Sequence, residues 1–542
     1  MLESRDFNGV GIFRASQEHE KKIYNRIKGS MFENFDPGIY TDKTEIIRIV
    51  NFIYKKYYEI LDENLPKVDP GNFAVFLASE YERYGKVSEM HKRNELSAED
   101  DEFWLSYASY ARRGIKHLFE LLCRTKMENS KVDSTLEGQE DAISMVFIAA
   151  EELVSLYMRS DGYNSFLDSV TLKLDPREHT YFYVEEDSSV KFDPRNAVRD
   201  FAKYVPMPMF LQDVGAHGDI LRESFVETLG LSYNDTIGTI QWIIDTYSDE
   251  SNPESLGFFE WPEVVSRVTE NFRISAEQAN QILEGFCLSH ETMKERELYR
   301  PKQEYRAYKR SFFKCQYEGK DVVFFSRRMA QECLMILISD VPFKKLPPEW
   351  QSKNIKAALD VLSRKAGRWF ENVVVRNLEK LNIIGSPSVK SLKISTTENR
   401  KIPEDIGEID FLGFHEEQKI LVIIEIKQVG FATEPRMFLD DLSKFVTGTK
   451  NYSEKFKKKF NWAIENIESI EKHFLHNFSL DAKLKEAGYA MITLYPAAVS
   501  AKIHDFTCIS IVDFMNQIRE TKNWPFSKIS LHAASTAPLT SV

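Results

Sequence analysis

The residues with the clearest chemical potential are Asp410, Glu425 and Lys427. They stand in Gly407-Glu-Ile-Asp410 and, after 14 intervening residues, in Glu425-Ile-Lys427. Within Ile420-Leu-Val-Ile-Ile-Glu-Ile-Lys-Gln428 an apolar run breaks off into a carboxylate and an amine two residues apart. Side chains two apart on a strand share a face, so Glu425 and Lys427 are expected to point the same way. A hairpin partner strand would bring Asp410 beside them. Ionised groups at the end of a buried strand are costly unless something compensates them. Mg²⁺ does so by taking hard oxygen ligands while keeping several waters. Bound metal lowers the pKa of such a water and neutralises charge building on a phosphate. A neighbouring lysine orients or deprotonates the water, or stabilises the transition-state charge. The expected chemistry is hydrolysis of a phosphodiester, with Asp410 and Glu425 as metal ligands and Lys427 as the cation.

A further carboxylate belongs upstream. In Lys365-Ala-Gly-Arg-Trp-Phe-Glu371-Asn-Val-Val-Val, Glu371 lies one turn after Gly367 and one turn before Val374 and Val375, with Leu378 farther along. That places it on the half-apolar side of a helix, from which it would hold the metal directly or through water. Glu408 alternates onto the face of Asp410 and would share or replace its role. Pro403-Glu-Asp405 offers another aspartate, Asp405, that could stand in for Asp410.

These groups need a mixed layer to position them. The pattern predicts a helix over 354–381, strands over 389–394, 407–414 and 420–428, a long helical stretch from Pro435 and a strand over 488–495. The stretch 508–518 closes the domain. Strand, long helix, strand permits a parallel pair through a crossover connection. Helix-Glu, E-I-D strand, I-I-E-I-K-Q strand, helix, strand resembles the PD-(D/E)XK, restriction-endonuclease-like nuclease superfamily, and within it the Mrr-like branch whose strand motif ends in E-x-K-Q. The resemblance covers about 355–515, and no proline immediately precedes Asp410. It implies that Asp410, Glu425 and Lys427 are catalytic, that Glu371 is the helix acid and that Gln428 is the accessory polar residue. It also implies Mg²⁺ as cofactor, replaceable by Mn²⁺.

Outside that constellation, Lys455-Phe-Lys457-Lys458-Lys459 could contact phosphates beside the site or form a solvated helix face. Lys444 and Arg436 are similar cases. His473 and His476 have metal-compatible spacing but no third ligand, and read as ordinary surface histidines. The scattered cysteines (Cys123, Cys287, Cys315, Cys333 and Cys508) form no C-x-x-C pair, which fits reduced thiols in the cytoplasm, with Cys508 in a core. No secretory leader is expected from Met1-Leu2-Glu3-Ser4-Arg5-Asp6, and no apolar run suits a membrane span.

A chain of 542 residues exceeds one hydrophobic core. Residues 1–295 read as mainly α-helical, with helical spacing through Ile46–Leu61, a Ser97-Ala-Glu-Asp100 start and a Ser275-Ala-Glu-Gln278 capping box. Residues 296–350 read as a small β-hairpin and helix connecting segment, and 351–542 as the α/β domain, a mixed central sheet flanked by helices. The net charge of −12 divides into +4 over 351–542 and −16 over 1–350, so only the back part suits a polyanion. No phosphate-binding loop, dinucleotide fingerprint or Ser/His/Asp arrangement is found in 1–350. The expected function is a metal-dependent DNA endonuclease, in restriction or anti-phage defence. The helical part would serve as sensor, specificity module, oligomerisation platform or protein-binding surface. The alternative is an inactive nuclease-fold scaffold binding nucleic acid or protein. A third reading has the acidic half inhibit the basic half by mimicking nucleic acid.

Overall fold

The computed structural model describes residues 2–124, 132–133, 135–165, 169–177, 182–186, 200–252, 254–293, 303–432 and 435–531. It divides into two compact units, Met1–Asp187 with Val214–Asp360, and Ser188–Asp213 with Val361–Val542.

The first unit is mainly helical, as expected of residues 1–295. The periodic Ile46–Leu61 stretch lies in the helix Lys43–Asn64, capped by Asp42, and packs against the helix Leu136–Ser165. Ser275 and Gln278 make a complete capping box at the helix Ala276–Glu284. The chain opens, however, with strands Leu2–Phe7 and Val10–Ala15. Their turn is Asn8-Gly9, both at positive φ, the Asn-Gly hairpin signal that a helical reading of 1–295 passes over. A three-stranded sheet of Gly38–Tyr40, Val170–Leu174 and Phe182–Glu186 also lies in this region.

Residues 296–350 do not form a separate connector. Strands Phe312–Tyr317 and Lys320–Phe325 make the expected hairpin, but they pair outward with Cys287–Ser289 and Gly257–Glu260 into one four-stranded sheet. A hairpin alone cannot bury both faces. Phe312, Phe313, Phe324 and Phe325 are all buried, and Phe313 stacks on Phe119 at 4.5 Å between ring centroids.

Part of this unit's acidity is structural. Buried Glu80 accepts the Phe13 N–H at 2.9 Å, buried Glu82 accepts the Arg328 N–H at 2.7 Å, and buried Glu120 accepts the Ala307 N–H at 2.8 Å. These carboxylates fasten loops and hairpins to the helices that carry them.

In the second unit, α1 (Lys353–Glu379) enters from the first and belongs to the second from Val361. Leu362, Ala366, Phe370, Val374 and Leu378 recur four apart on its buried face. Then come β1 (Ile383–Val389), the small ladder β2 (Ser391–Lys393) and β3 (Asn399–Lys401), β4 (Ile409–His415) and β5 (Ile420–Lys427). The long stretch from Pro435 divides into α2 (Pro435–Leu442), one π-helical turn at Ser443–Thr447, α3 (Tyr452–Glu465) and α4 (Ile467–Phe478). β6 (Glu486–Thr493), β7 (Thr507–Ser510), α5 (Ile511–Thr521) and β8 (Lys528–Ser530) complete it. The sheet runs β1-β4-β5-β6-β7, with β8 also on β6. β4 and β5 are antiparallel; β5 and β6 are parallel through the helical crossover.

The described residues 200–213 also belong to this second unit. Asn377 Nδ2 donates to Tyr204 O at 2.8 Å, Tyr204 OH donates to Asn516 Oδ1 at 2.5 Å, and Phe201 stacks on Tyr495. The mainly helical 1–295 is thus not one continuous unit in space, because this segment packs with the C-terminal residues. The joining contacts are long-range aromatic and amide pairs with no local periodicity.

Candidate active site

Seven of the eight β5 residues are buried, as for a central strand covered on both faces. Leu421 and Ile423 pack into the core that includes Leu412 and Phe414 of β4 and Phe456, Phe460 and Ala463 of α3. By alternation Glu425 and Lys427 continue that face of β5, and Asp410 continues it on β4. Gly407, at φ +80°, turns the chain into β4 after the exposed Pro403–Asp405 turn. Glu404 and Asp405 therefore stay outside the site.

The sheet brings the three expected groups together. Asp410 Oδ2 accepts the main-chain N–H of Ile426 at 2.8 Å and the Lys427 ammonium at 3.1 Å. Lys427 Nζ lies 2.6 Å from Glu425 Oε1. Glu425 is only 2 % exposed. Burial disfavours charge on both Asp410 and Lys427, but their partners outweigh it. Lys427, Lys459 and the Ile426 N–H hold the Asp410 carboxyl below its usual range. Glu425 and Asp410 raise the Lys427 ammonium.

Lys459 stands apart from Lys455, Lys457 and Lys458, for which the sequence leaves phosphate contact or a solvated helix face open: it is 8 % exposed and turns into the site. Its Nζ lies 2.6 Å from Glu425 Oε2 and 3.2 Å from Asp410 Oδ1. Lys455 and Lys458 are exposed, and Lys457 pairs with Asp505. A signal was present: Phe456, Lys459, Phe460 and Ala463 share one helical stripe, and a lysine within an apolar stripe needs a buried partner. Asn451 starts that helix by accepting the Glu454 N–H at 2.8 Å.

Glu371 on α1 is half-buried and accepts from the Ser388 hydroxyl at 3.4 Å. Burial first, and then the negative charges of Asp410 and Glu408, raise its carboxyl above the ordinary range. Glu408 precedes β4 and pairs with Lys390 at 3.2 Å. Gln428 follows β5, its Nε2 buried without a hydrogen bond. Arg436 and Lys444 pair with acids of their own segment, Asp440 and Asp441. His473 is not a surface residue: it is buried, and its Nδ1 accepts the Lys393 N–H at 2.9 Å, pinning β2 against α4. Cys508 is half-buried against the core, and burial pushes its thiol up to about 12.

The donor set suits a hard divalent ion. Asp410 and Glu425 direct Oδ1 and Oε2 at one ammonium, so the space between them already takes a cation. Glu371 lies near enough to feel the Asp410 charge. As arranged, the ammonium takes that place, and no group of three His, Cys, Asp or Glu residues poised to hold a metal is present among the described residues. No described helix is long and apolar enough to cross a membrane. Comparison of the chain with protein-family models, with curated proteins and with solved structures gave no match.

Proposed function

We propose that residues 351–542 form a PD-(D/E)XK-type nuclease domain that hydrolyses phosphodiester bonds, with DNA as substrate and Mg²⁺ or Mn²⁺ as cofactor. The observation that carries this reading is the meeting of Asp410, Glu425 and Lys427 at the ends of adjacent strands, with Lys427 Nζ 3.1 Å from Asp410 Oδ2 and 2.6 Å from Glu425 Oε1. Asp410, Glu425 and Glu371 would hold the ion, which supplies Lewis-acid polarisation and an acidified water. Lys427 stays cationic between the two carboxylates and is placed to orient the attacking water or to meet charge on the phosphate. The exposed Lys455 and Lys458 would meet the backbone of the polyanion. Restriction or anti-phage defence, in the cytoplasm, is the setting we propose.

The test is cleavage of supercoiled and linear DNA, with matched RNA, by the full chain and by Lys427→Ala, in Mg²⁺, Mn²⁺ or EDTA. Metal-dependent cutting by the wild type, reduced about a hundredfold or more in the variant, is the expected outcome. Undiminished cutting by the folded variant would refute the assignment.

A second reading has its own support. Two lysines already balance two carboxylates, as in a scaffold that needs no metal. Such a scaffold would show no Mn²⁺-linked stabilisation dependent on Asp410 and Glu425.

A further inference from the structure

The strand motif accounts for one lysine in this site; the structure holds two. They divide the carboxylate oxygens between them. Lys427 takes Asp410 Oδ2 and Glu425 Oε1, while Lys459 takes Asp410 Oδ1 and Glu425 Oε2. The two cations are not equivalent. Lys427 sits on the sheet itself and spends a further bond on its neighbour's carbonyl, Ile426 O, at 3.2 Å. Lys459 reaches in from α3 on a flexible four-carbon stem, with its ammonium bridging the two strands. A buried ammonium is tolerated only with such partners, and a buried carboxylate only with such a cation.

We infer that Lys459 is an internal counter-cation, which closes the carboxylate pair in the metal-free protein and competes with a divalent ion for Asp410 Oδ1 and Glu425 Oε2. This rests on the reading of Asp410 and Glu425 as metal ligands. It adds that metal affinity is set by an exchange in which the Lys459 ammonium leaves as the ion enters. Metal loading and the position of α3's lysine are then one equilibrium, and the site is stable without metal at the cost of weaker metal binding.

Calorimetric titration of Mn²⁺ into the full chain tests it, at one pH and ionic strength, for wild type, Lys459→Gln, Lys459→Arg, Lys483→Gln and Asp410→Asn. Lys459→Gln removes the competitor and should lower the Mn²⁺ Kd about tenfold or more, with a lower unfolding temperature in EDTA that Mn²⁺ restores. Exposed Lys483→Gln should match wild type, which separates competition from a change in net charge. Lys459→Arg keeps the cation with a bidentate donor and should bind Mn²⁺ no more tightly than wild type. A Kd for Lys459→Gln within about twofold of wild type overturns the inference and leaves the metal site standing. If Lys459→Gln does not fold, tighter binding by Lys459→Arg overturns it instead. Absence of Mn²⁺ binding in wild type and both Lys459 variants overturns the metal site as well, and Asp410→Asn marks that baseline.

Discussion

Asp410 accepts the main-chain N–H of Ile426 through its side chain, at 2.8 Å. The last paired residues of β4 and β5 are Phe411 and Ile424. Beyond them the Asp410 carboxylate supplies the acceptor that a continued ladder would have supplied. The catalytic candidate is thus part of the sheet's hydrogen bonding, which fixes its rotamer before any ligand arrives.

Removing that acceptor should cost stability as well as activity. Asp410→Ala leaves the Ile426 N–H unpaired and both lysines short of a partner, a loss of about 2–4 kcal/mol. Asp410→Asn keeps an acceptor oxygen and should lose about 1 kcal/mol, yet cut no DNA. Urea unfolding midpoints beside a nicking assay separate the two effects.

The raised Glu371 carboxyl gives a pH signature. The folded state retains a proton that the unfolded chain has released above its ordinary 4.5, so stability falls as pH rises from 4.5 through the raised value. Glu371→Gln removes that penalty. In EDTA at pH 7 its unfolding temperature should exceed that of the wild type, and the difference should vanish below pH 4.5. A lower unfolding temperature at pH 7 would show that Glu371 is held by a favourable partner instead.

Asn451 should matter more than an ordinary helix cap. Its Oδ1 caps α3, while its Nδ2 donates to Val446 O at 2.7 Å and Gly448 O at 3.1 Å. Asn451→Ala should cost about 1–2 kcal/mol, measured by thermal or urea unfolding. Asn451→Asp keeps the cap but loses both donated bonds, and should recover only part of that loss.

The first unit carries a separate pH dependence. Burial lifts Glu151 to about 7, against the opposing charge of Arg14 and the Tyr107 hydroxyl that donates to it at 2.9 Å. Its folded form holds a proton between pH 4.5 and about 7, so stability declines through that window and levels above it. Glu151→Gln should therefore raise the unfolding temperature by about 2–4 °C at pH 8 and match wild type near pH 4.5. Scanning calorimetry across pH 4–8 checks it.

The acidic front part also bears on the idea of nucleic-acid mimicry. Glu80, Glu82 and Glu120 count toward the −16, but they are buried and hydrogen-bonded to backbone. These three carboxyls face the interior and add nothing to the surface that such mimicry would use.

What the sequence determined by itself is local. The alternation of Ile420–Lys427 places Glu425 and Lys427 on one face, and the short connection from β4 brings Asp410 beside them. Period two and a hairpin need no knowledge of the rest of the chain. The Asn8-Gly9 dipeptide is an equally local hairpin signal. Only the tertiary structure decided the partners of Lys459, His473 and Tyr204. Helical periodicity says that Lys459 and His473 lie on faces shared with apolar residues; it does not say what lies opposite. That depends on how α3 and α4 cross the sheet, and on how Tyr204 meets Asn377 of α1 and Asn516 of α5. Such contacts join residues tens to hundreds of positions apart, and their specificity resides in shape and charge that exist only once the layers have packed.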